Sequence, residues 1–169
     1  PGDGYAVAGT HAAAGSNDFI LLRLNADGSL RWQKQIAAPG DDIMESLATT
    51  SDGGFVLAGQ TQSFGSVTYD GWILKVDSGG SLAWQKTFGG SSGDGLKSVI
   101  EAPGGSVYAT GYTGSYNGLG NWDAWVLAFG ADGLLSPLFN NSTAAIAALT
   151  VTASDTSISP AVSALSLAD

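Results

Sequence analysis

The chain has 169 residues and a net charge of −9; 12% of its residues are charged, 44% are hydrophobic and 25 are glycine. This composition excludes a charge-rich disordered chain, and the acidic balance argues against nucleic-acid binding, which needs a basic face. No run of 18 or more apolar residues occurs, so no membrane-spanning segment is predicted. Because cysteine is absent, disulfides and thiolate ligands are excluded. The chain begins at Pro1 inside a repeat, and we expect that an upstream segment has been removed.

One phrase occurs twice, as LRWQKQIAAPGDD at residues 30–42 and as LAWQKTFGGSSGD at 82–94. Upstream, GYAVAG at 4–9 copies GFVLAG at 54–59. NDFILLRLNADGSL, YDGWILKVDSGGSL and WDAWVLAFGADGLL are three copies of another segment. The resulting period of 50 to 53 residues is typical of stacked supersecondary units, as in solenoids, propellers or arrays.

Within a repeat, apolar and polar residues alternate in short runs between turn residues, which predicts antiparallel strands. The second repeat contains four such runs, IMESLATT, FVLAGQTQ, GWILKVD and LAWQKTFG. Asp27-Gly28, Gly79-Gly80 and Asp132-Gly133 are predicted hairpin turns, since glycine accepts the positive φ that a tight turn needs. Four strands in about 50 residues describe one propeller blade.

The number of predicted strands differs between repeats. The first repeat lacks its first strand, and the fourth strand of the third repeat, LLSPLFN, is degenerate because Pro137 stands at the position of Trp84. We therefore predict an all-β, incomplete β-propeller-like array of about three four-stranded antiparallel blades, at about 1–39, 40–90 and 91–139, followed by an extended C-terminal β-strand tail. Propellers close with about four to eight blades. The first blade is expected to leave a strand edge open to pairing with another chain.

The remaining segment, 140–169, contains no glycine, aromatic residue, lysine or arginine. Three hypotheses stand for this tail: a Ser/Thr-rich linker, a strand donated to an open sheet edge, or a short Ala-rich helix over 143–149. In the donated-strand hypothesis the alternation in ALTVTA places Leu149 and Val151 on one face. The candidate subunit-contact residues are Ile146, Leu149 and Val151 in the tail and Tyr5 and Val7 in the first repeat.

Several phrases carry a family resemblance. WQKTFGGSSGD, SDGGFVLAGQTQSFG and YDGWILKVDSGGSLAWQKT resemble the β-propeller-like repeats of secreted and surface proteins of bacteria and archaea, over residues 3–136. TVTASDTSIS in the tail is similar to the Thr/Ser/Asp-rich segments that follow such arrays. The resemblance implies an extracellular or cell-surface, non-catalytic series of propeller blades. The chain departs from the pattern by having few blades and a degenerate last one.

The sequence offers little chemistry, so no enzyme activity and no cofactor are predicted. His11 is the single histidine, and we place it in a solvated loop, where it cannot define a catalytic triad. Asp18, Asp70 and Asp123 recur before the third strand, and their recurrence favours Asx turn-capping over a Ca²⁺ site. The segment GSSGDG lacks the lysine of a phosphate-binding loop.

Aromatic residues fall into two sets. Trp32 and Trp84 are assigned to matching repeat positions, and so are Phe19, Trp72 and Trp125. This repetition predicts that all five are buried between blades. A second set lies in the predicted loop between second and third strands, where exposed aromatics can stack on sugars or on another subunit: Tyr69, Tyr112, Tyr116 and Trp122.

Asn140 and Asn141 begin two overlapping N-x-S/T glycosylation acceptors between the last blade and the tail. A chance pattern in a polar linker is the alternative interpretation.

Two function classes follow from the sequence. The first is a structural subunit of an extracellular assembly, a head-to-tail homopolymer in which the tail completes the open blade of a neighbour. The second is a fragment of a surface propeller that binds glycans or proteins.

Overall fold

The computed structural model describes residues 4–12, 15–64, 67–115 and 122–135. These residues form ten β-strands and no helix. In chain order the strands are β1 (Tyr5–Ala12), β2 (Asn17–Leu24), β3 (Leu30–Ile36), β4 (Asp42–Thr49), β5 (Phe55–Thr61), β6 (Asp70–Val76), β7 (Leu82–Phe88), β8 (Asp94–Glu101), β9 (Val107–Thr113) and β10 (Asp123–Phe129).

The strands form three antiparallel sheets, and within each sheet neighbours in sequence are neighbours in space. The first sheet has the order β1-β2-β3, the middle sheet β4-β5-β6-β7 and the last sheet β8-β9-β10. Leu135 forms a single antiparallel bridge to Phe129 beside β10. The rest of the predicted fourth strand, 136–139, lies outside the described residues. The all-β prediction is confirmed.

The hairpin turns lie where the sequence predicted them. Gly28, Gly80 and Gly133 have φ values of 84°, 82° and 77°, which L-residues rarely adopt. An aspartate closes each turn, since one carboxylate oxygen accepts backbone N–H groups two residues ahead. These bonds are Asp27 from Ser29 N (2.9 Å), Asp77 from Gly79 N (2.9 Å) and Asp132 from Leu134 N (3.0 Å).

The middle sheet is buried on both faces. Along β5, Phe55 and Leu57 pack into one apolar cluster with the first sheet, whereas Val56 and Ala58 pack into a second cluster with the last sheet. All seven residues of β5 are buried, which requires a neighbour on each side. The first and last sheets therefore lie on opposite faces of the middle sheet.

Register irregularities interrupt the simple alternation. One lies between Met44 and Ser46 in β4, another between Leu96 and Ser98 in β8, and each leaves one extra residue on the first strand of its sheet. Between β6 and β7, Lys75 pairs with Trp84 and Val76 pairs with Leu82, so Ala83 is an extra residue in β7. Because of it, Leu82 packs toward the first sheet and Trp84 toward the last.

The burial prediction for the repeated aromatics holds for Phe19, Trp72 and Trp125, which are buried, and holds in part for Trp32 and Trp84, which are partly buried. The assumption that Phe19 matches Trp72 is wrong.

Phe19 pairs with Ile36 as Gly71 pairs with Phe88, so Phe19 occupies the position of Gly71 in the repeat. Since neighbouring side chains on a strand point to opposite faces, Phe19 points toward the middle sheet, where its ring lies 4.6 Å from that of Trp72.

In the described part of the chain, no helix is long and apolar enough to cross a membrane.

The burial of Trp72 generates a stability prediction. Its side chain is fully buried between the first and middle sheets, so Trp72→Ala should lower the free energy of unfolding by about 3–5 kcal/mol. Trp122→Ala is the matched control, because Trp122 is 64% exposed. Urea denaturation followed by circular dichroism measures both. An equal loss in the two variants would contradict the packing described above.

Candidate assembly surface

The first sheet presents an unpaired edge. β1 is equivalent in the repeat to β5, and in the middle sheet β5 pairs with β4 on one side and β6 on the other. Among the described residues, β1 pairs only with β2. We call the other side of β1 the acceptor edge (5–12). Its backbone N–H and C=O groups are a template for one more strand.

Gly9 lies on the acceptor edge, at a repeat position that faces a first strand in the other two sheets. Its repeat equivalents, Gly59 and Gly111, are pressed by the first strands of their own sheets. A Cβ on Gly59 would lie 2.1 Å from the Ile43 carbonyl oxygen, and one on Gly111 would lie 1.9 Å from that of Gly95. No atom of the described chain lies within 4 Å of a Cβ built on Gly9.

Backbone conformation does not require glycine at this position. Among the described residues, Gly9 is not one of the glycines with positive φ. At Gly59 and Gly111 the steric reason for glycine is therefore a close strand carbonyl, and at Gly9 the described residues supply no such carbonyl. The sequence alignment shows that Gly9, Gly59 and Gly111 are equivalent. Their steric role becomes visible only in the pairing of β4 with β5 and of β8 with β9.

The first sheet also has an exposed apolar face. The register places Tyr5 opposite Leu24 and Val7 opposite Leu22, on the face turned away from the middle sheet. Tyr5 is 61% exposed and Val7 49% exposed. Their repeat equivalents, Phe55 and Leu57, are buried against the first sheet. We call this surface the first outer face (Tyr5, Val7, Leu22, Leu24 and Leu30).

The last sheet has a corresponding surface that the sequence analysis missed. Ile100 pairs with Tyr108 and Val126 with Thr110, which places all four side chains on one face. Ile100 is 56% exposed and Val126 50% exposed. We call this surface the last outer face (Ile100, Tyr108, Thr110 and Val126). Comparing Val126 with its buried repeat equivalent Ile73 reveals the surface.

Polar contacts join the bulges of adjacent sheets. Lys97 forms an ion pair with Glu45, its repeat equivalent in the middle sheet. The Ser46 hydroxyl accepts a hydrogen bond from Val99 N (3.1 Å). In the same way Met44 N donates to Thr10 Oγ1 (2.9 Å) between the middle and first sheets. Each contact involves a first strand or its flank, so first strands fix how one sheet sits on the next.

A buried carboxyl begins each described first strand. Asp42 is fully buried and accepts hydrogen bonds from Ser63 Oγ at 3.0 and 3.2 Å. Burial raises the pKa of Asp42 to about 6, against the opposing effect of hydrogen bonds from Thr61 and Ser63. Asp94 repeats the arrangement with Ser115 Oγ at 2.6 Å. These pairs tie the loop after the second strand to the start of the first strand.

Two sequence-based placements are corrected. His11 does not lie in a loop, since it belongs to β1 and pairs with Asp18 across the ladder. Asp18 bonds across the first sheet, where its carboxylate accepts from Gln35 Nε2 at 2.6 Å, in addition to a long 3.4 Å bond from Ser16. At Asp18, the shorter bond is therefore a cross-strand one rather than a turn cap. In the described residues, no group of three His, Cys, Asp or Glu side chains is placed to hold a metal ion.

The aromatic residues assigned to the loop after the second strand separate. Tyr112 lies within β9, donates a hydrogen bond to Gln60 Oε1 (2.6 Å) and packs edge-on against Trp122 at 4.5 Å. Trp122 is largely exposed, whereas Tyr69 is half-buried.

Other predicted site residues lie outside the described residues, and for them the sequence prediction stands as a prediction. They are Tyr116, Asn140, Asn141, Ile146, Leu149 and Val151.

No family model matches the chain. The chain is similar to the regulatory protein FlaEY of Caulobacter vibrioides, with 27% identity over 139 residues, which covers 70% of this chain and 15% of that protein. The chain thus spans a small fraction of the curated relative that it matches.

The raised pKa of Asp42 generates a pH prediction. Below pH 3.8 the carboxyl is protonated in both states, and as pH rises toward about 6 the unfolded chain ionises first. The stability that the protonated, buried carboxyl contributes is therefore lost over this interval, by about 2–3 kcal/mol. Relative to Asp42→Asn, the unfolding free energy of the unmodified chain should fall between pH 4 and pH 6, roughly the window that the raised pKa sets.

Urea denaturation at several pH values measures this difference. The Lys75 hydrogen bond and ion pair lower the pKa of Asp52, which gives a pH dependence of opposite sign. That contribution is common to both chains and cancels in the comparison. Parallel pH profiles for the two chains would contradict the assignment to Asp42.

Proposed function

We propose that the chain is a structural subunit of an extracellular assembly, a head-to-tail filament held by strand donation. In this proposal the three sheets are an open segment of a propeller-like series. Residues 145–153 of one copy pair with the acceptor edge of the next copy. The observation that carries the proposal is the acceptor edge with Gly9: the equivalent glycines of the middle and last sheets, Gly59 and Gly111, lie against a strand carbonyl, and no described atom lies against Gly9.

The repeat period predicts that a further first strand falls within the tail. β4 begins at Asp42 and β8 at Asp94. Equivalent positions in the repeats are 50 to 53 residues apart, so the repeat predicts a further first strand that begins within 144–147, and a step of 50 residues from Leu96 arrives at Ile146. The segment that follows the last sheet is of the type that the first sheet lacks.

The apolar spacing of the tail agrees with this prediction. In β4 the apolar pair is Met44 and Leu47, and in β8 it is Leu96 and Val99, three residues apart because each bulge adds one residue. Ile146 and Leu149 have the same spacing. With a bulge between them, Ile146, Leu149 and Val151 share one face. Burying two such side chains contributes roughly 3–6 kcal/mol before ordering entropy is counted.

Chain connectivity favours pairing between copies. In the described structure five residues, 89–93, lead from β7 in the middle sheet to β8 in the last sheet. A connection of this kind delivers a first strand to the sheet stacked next in the series. The first sheet of the same copy lies on the opposite side of the middle sheet, so the next sheet belongs to another copy.

The location and the non-catalytic character rest on the sequence. Repeats of this kind resemble those of secreted and surface proteins, and the described residues contain no cluster of three potential metal ligands. A lone histidine supplies no catalytic constellation. These features support a structural role outside the cell.

A surface binding module is the second candidate. The similarity to 15% of a longer protein shows that a segment like this one occurs inside a larger chain. The exposed Trp122, packed against Tyr112, is suited to contact a glycan or a protein. In this case copies would remain single, or two copies would close a ring of six sheets, which lies within the range of about four to eight blades.

Gly9→Ala tests the proposal in the full chain. The new methyl group meets no described atom in the single copy, so the fold should be retained. In the assembly it would overlap the carbonyl of a donated strand, as at Gly59 and Gly111, and particles larger than a few copies should disappear. Light scattering and electron microscopy measure particle size, and circular dichroism measures folding.

Deletion of residues 143–169 is the complementary variant. It should give folded chains that no longer polymerise and that bind a synthetic peptide of residues 143–155. The same deletion carrying Gly9→Ala should fold with the same thermal stability and fail to bind the peptide. If Gly9→Ala or the deleted chain builds the same particles as the unmodified chain, strand donation is refuted; particles of two copies would identify the closed ring.

A further inference from the structure

We infer that the last outer face of one copy stacks on the first outer face of the next copy, so that the sheets continue in series across the subunit boundary. The partner is a second copy of this chain. The inference deepens the proposed function, since it assigns to the assembly an apolar interface distinct from the donated strand.

The first outer face is built like an interface that already exists. Phe55 and Leu57 of the middle sheet pack on the first sheet, and Val107 and Ala109 of the last sheet pack on the middle sheet. Tyr5 and Val7 occupy these positions in the first sheet. The middle sheet packs on the first sheet, and the last sheet packs on the middle sheet, each through this apolar face. The first sheet has the same apolar face, and no described residues form a sheet that packs on it.

The last outer face is built like the opposite side of the same interface. Val56 and Ile73 of the middle sheet point toward the last sheet and are fully buried. Tyr108 and Val126 occupy these positions in the last sheet. Two complementary halves of one repeated interface therefore stand at opposite ends of the stack.

The two halves differ, so the contact is heterologous. In both interfaces within the chain, a face of the first-outer-face type packs against a face of the last-outer-face type. Two copies that met through their first outer faces would bring two faces of the same type together, which neither interface shows. A heterologous contact repeats from copy to copy and gives a ring or a filament. The tail emerges from the last sheet, so the same contact brings a donor strand beside the acceptor edge.

Charged substitutions in the full chain test the stacking. Val126→Asp lies on the last sheet, remote in the fold from the acceptor edge, and Val7→Asp lies on the first outer face. Both side chains are about half exposed, so the single copies should fold. Because an unpaired charge would be buried in the assembly, the concentration needed for assembly should rise at least about tenfold in each. Val67→Asp is the matched control, since Val67 is 95% exposed in a loop.

Mixing the two variants gives the decisive result. Val7→Asp copies retain an intact last outer face, and Val126→Asp copies retain an intact first outer face. An equimolar mixture should form a pair of twice the 17.0 kDa chain mass, and neither variant alone should do so. Analytical ultracentrifugation measures both. Because strand donation is intact in both variants, the same measurement is made with Gly9→Ala added to each chain, and a pair formed by either variant alone in that background would establish a symmetric contact and overturn the inference.

The outcomes separate this inference from strand donation. If Val126→Asp and the second variant of the same face, Ile100→Asp, polymerise like Val67→Asp while Gly9→Ala does not, strand donation stands and stacking is overturned. If Val126→Asp abolishes assembly and Gly9→Ala leaves it intact, stacking stands and the proposed donation fails. Circular dichroism of each variant confirms that a loss of assembly is not a loss of fold.

Discussion

A β-sheet that is apolar on both faces needs a neighbouring sheet on each side, and this constraint governs the molecule. The middle sheet meets it, since Phe55 and Leu57 pack on the first sheet and Val56 packs on the last. The first and last sheets carry the same two-sided pattern, and in the described part of the chain no sheet covers their outer sides. Val7 and Val126 are exposed there, whereas their repeat equivalents in the middle sheet, Leu57 and Ile73, are buried.

The second constraint acts on the backbone. Each described first strand places a backbone carbonyl, that of Ile43 or Gly95, close to a glycine of the second strand, Gly59 or Gly111. Gly9 is the equivalent glycine of the first sheet, and no described atom lies against it. The edge and the face lie on the same sheet, so in the proposed assembly one neighbouring copy would cover both. This coincidence is why strand donation and sheet stacking belong to one account, although different variants test them.

The repeat period, the hairpin turns and the missing first strand could be predicted from the sequence, because turn glycines and alternating apolar residues carry local signals. The bulges could not, since they depend on how the ladder pairs. Ala83 separates Leu82 and Trp84 onto opposite faces, where strict alternation would place them together. The last outer face was missed for another reason. Ile100 and Val126 look like core residues in the sequence, and only the stack shows that no described sheet covers them.

The most direct measurement is a cryo-electron microscopy map of the assembled particles at side-chain resolution. The account predicts a strand beside β1 that is continuous with the last sheet of a neighbouring copy, with Leu149 and Val151 toward the interior and the Ala145 carbonyl against Gly9. An acceptor edge without a strand, or a strand there that comes from the same copy, would contradict the account.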